Sequence, residues 1–291
     1  MLRLVLPKGS LEKATLDLFE DADLSVSRSS NVDYRGTIDD DRISDVRILR
    51  PQEIPLYVAD GLFDIGITGR DWVEETGADV VSLGELRYSK ATQAPVRIVL
   101  AVAADSSAES AADLGDGVRI ATEYPEVTRR YFENHGVKAD ITLSYGATEA
   151  KVPEIADAVV EMTETRRALR AAGLKVIDTL LVSHTELIAN PGACEDPERR
   201  HAMGQLMTLL QGALEARGRV LLKLNVGAGE VDAVIGVLPA MRAPTVSELS
   251  GGGGYAVETV VSKSDVNRLI PALKDHGATD IIELPISKIV H

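Results

Sequence analysis

The sequence predicts an α/β protein that ends in a βαββαβ module of the ferredoxin-like kind. Three observations carry this. Short β-branched runs alternate with helical patterns up to about residue 190. A long amphipathic helix, 198–217, is then closed by Gly218. The residues beyond it read strand, helix, strand, strand, helix, strand.

The elements follow in order. Residues 2–6 form a buried strand, and Ser10 caps a helix carrying Leu11, Ala14, Leu16, Leu18 and Phe19. A strand at 46–49 is broken by Arg50-Pro51, and 51–60 is a helix with proline in its first turn. Residues 63–68 are an apolar strand, Gly69-Arg70-Asp71 opens the next helix, and 80–83 is a strand. A second series starts near Pro95. It has strands at 96–103, 118–121, 141–143, 158–160 and 176–182, with helices at 124–135 and 169–172. Residues 186–189 continue in the same style, and 191–197 is a turn-rich loop. The last module has strands at 220–226, 245–249, 256–261 and 280–284, and helices at 231–238 and 265–276. Gly251 to Gly254 reads as its hairpin turn, because no helix follows directly to make a phosphate loop.

Composition narrows the function. The chain has 291 residues, 31 Lys+Arg against 45 Asp+Glu, and a net charge of −14. Length suggests two domains or three small ones. The acid excess argues against nucleic acid or an anionic membrane as partner. Its basic residues are mostly arginine, a hint of salt adaptation. One cysteine, Cys194, excludes an intrachain disulfide and a cysteine-cluster zinc site. The start lacks the pattern of a signal peptide, and no apolar run is long enough for a membrane helix, so a soluble cytoplasmic protein is expected.

Four segments carry candidate chemistry. Leu6-Pro7-Lys8-Gly9-Ser10-Leu11 joins a strand end to a helix start, a geometry suited to an anion or to an ordinary turn with a solvated lysine. Arg50 stands at another strand end, where α/β folds bind ligands, or in a surface salt bridge. Thr68, Gly69 and Asp71 follow an apolar strand and read as a close backbone approach or a capped turn. In residues 157–169, a strand bearing Asp157 and Glu161 runs into a turn with Thr163 and Thr165, then a helix. That order suits a ribose-phosphate ligand with Mg²⁺, or a plain helix cap.

Taken with residues 120–125, Gly146-Ala147-Thr148-Glu149 and Pro244-Thr245-Val246-Ser247, these segments resemble the ATP phosphoribosyltransferase family over essentially the whole chain. The resemblance implies a two-lobed core like that of periplasmic solute-binding proteins. Its first lobe would comprise 1–94 and 185–217, its second 95–184, and a regulatory ferredoxin-like domain 218–291. It implies a cytoplasmic, Mg²⁺-dependent glycosyltransferase of histidine biosynthesis, acting on ATP and phosphoribosyl pyrophosphate. Histidine would be the allosteric inhibitor and the assembly a homo-hexamer. Lys8 and Arg50 would meet pyrophosphate or triphosphate, and Thr68, Gly69 and Asp71 would line the first lobe. Asp157 and Glu161 would face ribose, Glu149 and Asp157 would meet Mg²⁺, and the turn from Thr163 through Thr165 and Arg166 to Leu169 would hold the 5-phosphate. Asn225, Thr245, Val246 and Ala256 would take histidine. Arg166 departs from the family, which has glycine there. The arginine either strains the turn or adds a guanidinium contact. A non-catalytic two-lobed small-molecule sensor is the alternative. A tetrapyrrole-forming deaminase is disfavoured, since Cys194 lacks the motif that anchors its cofactor.

Overall fold

The computed structural model describes residues 1–30, 32–88, 94–239 and 243–291. The chain divides into two compact units, Met1–Met207 and Thr208–His291. The division falls inside the long helix, upstream of Gly218.

The first unit opens with β1 (Leu2–Pro7), α1 (Glu12–Asp21), β2 (Arg35–Gly36) and β3 (Ile43–Leu49). Next come α2 (Ile54–Ala59), β4 (Ile65–Gly69), α3 (Arg70–Thr76) and β5 (Val81–Leu86). β1 pairs in parallel with both β3 and β4. Leu2, Leu4, Val5 and Leu6 of β1 are all buried, as expected of a strand covered on both faces.

A second series then builds another sheet: β6 (Val96–Ala103), β7 (Arg119–Thr122), α4 (Pro125–Asn134), β8 (Asp140–Leu143), β9 (Ala158–Thr163), α5 (Arg167–Ala171) and β10 (Leu174–Ser183). Its strand order is β10-β6-β9-β7-β8. The chain returns through His184 to β11 (Thr185–Ala189), which slots antiparallel between β4 and β5. The first sheet thus has the order β2-β3-β1-β4-β11-β5. Two α/β lobes result, joined by two crossings.

Three local expectations shift. Ser10 makes no capping bond: the chain turns at Gly9, and α1 starts at Glu12, whose N–H donates to the Gly9 carbonyl at 3.1 Å. α2 begins only at Ile54, because residues 51–53 form a turn. The expected loop at 191–197 holds a short helix, α6 (Pro191–Glu195), with Asn190 Oδ1 accepting the Ala193 N–H at 2.9 Å. α7 (Pro197–Ala216) follows.

The second unit contains β12 (Arg219–Gly227), α8 (Val231–Val237), β13 (Thr245–Glu248), β14 (Gly254–Ser262), α9 (Val266–Asp275) and β15 (Thr279–Pro285). The antiparallel order β13-β14-β12-β15 is the ferredoxin-like arrangement. Alternation along β12 sends Val220, Leu222, Leu224 and Val226 into a core shared with Val234 and Leu273.

Candidate functional site

In the first lobe, candidate residues gather at the ends of β1, β3 and β4. Lys8 follows β1 and lies 3.6 Å from the Glu12 carboxylate and 4.9 Å over the Tyr34 ring. Arg50 follows β3 and is exposed. Its guanidinium would lie 3.6 Å from a Cβ at Gly9, whose φ of +92° only glycine holds without strain. The Gly9 turn therefore brings Lys8 and Arg50 together. Thr68 does not line this site. It is fully buried, and its hydroxyl donates to the Pro51 carbonyl at 2.9 Å, tying β4 to the turn before α2.

Gly69 and Asp71 border the space between the lobes. Asp71 is buried, and its carboxylate accepts hydrogen bonds from the Tyr124 hydroxyl at 2.8 Å and Ser183 Oγ at 2.6 Å. Burial pushes this carboxyl above the usual range despite those bonds. A Cβ at Gly69 would come within 2.0 Å of Asp71 Oδ1, so the small residue is needed here for space. Trp72 stacks on Tyr124 with centroids 4.6 Å apart. The first turn of α3 is thus fastened to the second lobe and to the returning crossing.

The second lobe presents an acidic group at the ends of β7 and β9. Burial pushes the Glu161 carboxyl up to about 7, opposed by the Thr148 hydroxyl and helped by the nearby charges of Glu123 and Glu149. Ser144 and Thr148, both buried, share a 2.7 Å hydroxyl contact, and Lys151 Nζ donates to Ser144 Oγ at 2.5 Å. Glu123, Ser144 and Lys151 escaped the sequence reading. Their signal lay inside or beside segments already singled out, at 120–125 and 146–149.

Asp157 is removed from this group. It precedes β9, at the end opposite to Thr163, and pairs with Arg119 at 2.6 Å, which holds its carboxyl below the usual range. It cannot join Glu149 at one ion or Glu161 at one ribose. Leu169 is also reassigned: it is buried among Val99, Val159 and Leu174 and anchors α5. The turn it anchors is exposed at Thr165 and Arg166. Arg166 takes φ +57°, and its N–H donates to Thr163 Oγ1 at 2.8 Å. The position where glycine was expected therefore does require left-handed backbone. The side chains of Arg166, Arg167 and Arg170 make no ion pair with the described residues.

A cavity of 270 Å³ lies between the lobes. Leu11, Trp72, Leu86, Tyr88, Pro95 and Met162 form its apolar wall. Asp71, Ser183, His184 and Thr185 contribute polar groups.

In the second unit, Asn225 lies opposite Ala256, which lies opposite Ser247. Alternation puts Asn225, Ala256 and Thr245 on the outer face of the sheet and Val246 on the other, so Val246 does not join them. Asn225 Nδ2 donates to the Asp280 carboxylate at 3.0 Å.

Fold and site together define a two-lobed α/β core with cationic side chains at its strand ends, followed by a ferredoxin-like module. The model of the ATP phosphoribosyltransferase family matches residues 50–212, and that of the family's C-terminal domain matches 216–288. The ATP phosphoribosyltransferase of Solibacter usitatus is 48% identical, covering 100% of this chain and 99% of the relative. That of Desulforudis audaxviator is also 48% identical, covering 99% of each. The solved ATP phosphoribosyl transferase (HisG:HisZ) complex from Thermotoga maritima contains a chain 28% identical to this one. It superimposes with a TM-score of 0.62, covering 74% of this chain and 99% of its own. The chain belongs to the ATP phosphoribosyltransferase family, in the long form that carries the C-terminal domain. It is an enzyme of the pentosyl-transferring class, which sets the sensor reading aside.

Proposed function

We propose that this enzyme joins N1 of the adenine of ATP to C1 of phosphoribosyl pyrophosphate in the first step of histidine biosynthesis. The N1–C1 bond forms, the bond from C1 to the pyrophosphate oxygen breaks, and its electron pair leaves with pyrophosphate. One observation carries the reading. In a chain of net charge −14, cationic side chains stand at strand ends of both lobes, Lys8 and Arg50 in one and Arg166, Arg167 and Arg170 in the other. Two anionic groups held apart by one ribose call for such an arrangement.

The roles follow from charge. Positive charge develops on the ribose ring in the transition state, and negative charge on the leaving group. Glu161 and Glu149 support the first, and Lys8 and Arg50 the second. Thr163 and Arg166 hold the 5-phosphate, the guanidinium replacing contacts of a glycine turn. Catalysis is alignment with electrostatic support and needs no covalent nucleophile. Among the described residues, no three His, Cys, Asp or Glu side chains enclose an ion. That fits Mg²⁺, which is usually held by one or two carboxylates together with substrate phosphates. Glu149 and Glu161 are the carboxylates available, and bound Mg²⁺ supplies charge neutralisation on pyrophosphate.

Histidine feedback through the second unit and a homo-hexameric assembly belong to the same reading, with Asn225, Thr245 and Ala256 as histidine contacts. The test mixes ATP, phosphoribosyl pyrophosphate and Mg²⁺ with pyrophosphatase and follows phosphoribosyl-ATP by ultraviolet absorbance. Product formation, slowed by histidine, is expected. No product at high enzyme concentration overturns the reaction, and indifference to histidine overturns the feedback.

A further inference from the structure

We infer that Lys151 is a positioning residue for the ribose side of the second lobe: acting through the buried hydroxyls of Ser144 and Thr148, it aims the Glu161 carboxylate at the sugar. This rests on the proposed reaction for the identity of the sugar, and on the hydrogen-bond chain itself for the role. Ser144 stands just past β8, and its N–H donates to the Thr122 carbonyl at the end of β7 at 2.7 Å. Thr148 and Lys151 open and close a single 3₁₀ turn, Thr148–Lys151. Residues three apart in such a turn lie on one edge, so both side chains reach Ser144. The turn packs against β7 and β9, and β9 carries Glu161. The hydroxyls thus bridge from the β8 end to a carboxylate two strands away.

The chain has a direction. An ammonium only donates, so Ser144 Oγ accepts from Lys151 Nζ at 2.5 Å. The Ser144 proton then has two acceptors in reach, Thr148 Oγ1 at 2.7 Å and the Gly146 carbonyl at 3.4 Å, and the shorter contact is the stronger. Thr148 Oγ1 is left to donate its own proton to the Glu161 carboxylate. Each hydroxyl polarises the next, and the charge at the head of the chain strengthens every link. Lys151 makes no ion pair with the described residues, although its charge acts on Glu123 nearby. Its proton is spent on a hydroxyl instead. The result is one fixed donor facing a glutamate that has three torsions of its own, which selects a single orientation for the carboxylate.

The experiment measures binding of ribose 5-phosphate and of inorganic phosphate to the full-length enzyme by calorimetry. It compares the wild type with Lys151→Met, Lys151→Arg, Ser144→Ala, Glu161→Gln and the double variant Lys151→Met/Glu161→Gln, and the urea midpoint of each checks folding. Lys151→Met and Ser144→Ala should each weaken ribose 5-phosphate about tenfold and leave inorganic phosphate within about twofold. Lys151→Arg should restore most of the affinity, because a guanidinium also donates. The double variant should bind no more weakly than Glu161→Gln alone, since effects routed through one group do not add. In steady-state kinetics Lys151→Met should lower kcat about 100-fold and leave KM for ATP within about twofold. If Lys151→Met shows no unfolding transition, Ser144→Ala, alone and with Glu161→Gln, carries the same comparison. Wild-type affinity of these variants for ribose 5-phosphate while phosphoribosyl-ATP still forms overturns the positioning role and leaves the reaction standing. The expected binding pattern without any product sustains the role and overturns the reaction. Equal loss of both ligands, a further loss in the double variant, or a wild type that holds ribose 5-phosphate no better than inorganic phosphate overturns the role.

Discussion

Arg166 holds a left-handed backbone conformation at φ +57°, which costs a non-glycine residue roughly 1 kcal/mol. Only its guanidinium can justify that cost, since the N–H of Arg166 is already donated to Thr163. Arg166→Gly should therefore raise the melting temperature by about 2–4 °C while raising KM for phosphoribosyl pyrophosphate. A calorimetric scan and a substrate titration of one variant check both, and a fall in both quantities would contradict this account. Glu161 makes a second residue-scale prediction. Its carboxyl, pushed up to about 7 by burial, binds a proton in the fold that the unfolded chain has released. Its contribution to stability is present below the ordinary glutamate range and is lost as pH rises through about 7. Activity moves the other way, because support of a positive ribose needs the ionised form. The acid limb of kcat/KM for phosphoribosyl pyrophosphate should lie near pH 7, and Glu161→Gln should abolish that limb with most of the rate. The residue types at these positions were legible in the sequence. The burial that moves Glu161 was not, because it comes from neighbouring segments.

Between elements, the contact of α3 with α4 sets how the lobes meet. The Glu75 carboxylate of α3 accepts the N–H groups of Glu126 and Val127 at 3.0 and 2.9 Å, capping the first turn of α4 from the other lobe. Arg130 of α4 returns a bond to the Glu74 carbonyl at 2.6 Å. Glu75→Ala should destabilise the first unit by ~1–2 kcal/mol, discounted for partial exposure, and lower the urea midpoint. An unchanged midpoint would show the cap to be dispensable. The helix over 124–135 was legible in the sequence, but the cap from Glu75 had no local signal. The same limit explains Asp157. Its neighbours in sequence suggested a shared site with Glu161, yet an extended strand advances about 3.3 Å per residue, so its two ends serve different places. The placement of the Thr68 and Leu169 side chains has a related reason. Both follow the right motif, and both side chains turn into the core.

For the whole molecule, the net charge of −14 is the property with the broadest consequence. Many arginines are tied up in pairs such as Arg3–Asp64 and Arg42–Asp40, and the excess acid is left at the surface. Self-repulsion of that surface is screened by salt, so the melting temperature should rise between about 0.1 M and 1 M KCl. Differential scanning fluorimetry across that range checks it, and a falling midpoint would contradict it. The sequence by itself determined the alternation of the main strands and helices, the ferredoxin-like ending and the chemical kinds at the strand ends, and it missed only short elements such as β2 and α6. These depend on spacing, and helix and strand periodicities are local. The tertiary structure alone decided that β11 returns between β4 and β5, that Asp71 meets Tyr124 and Ser183, and that Asp157 stands apart from the site. Sheet order and burial bring together residues far apart in the chain, and no local pattern records which of them will meet.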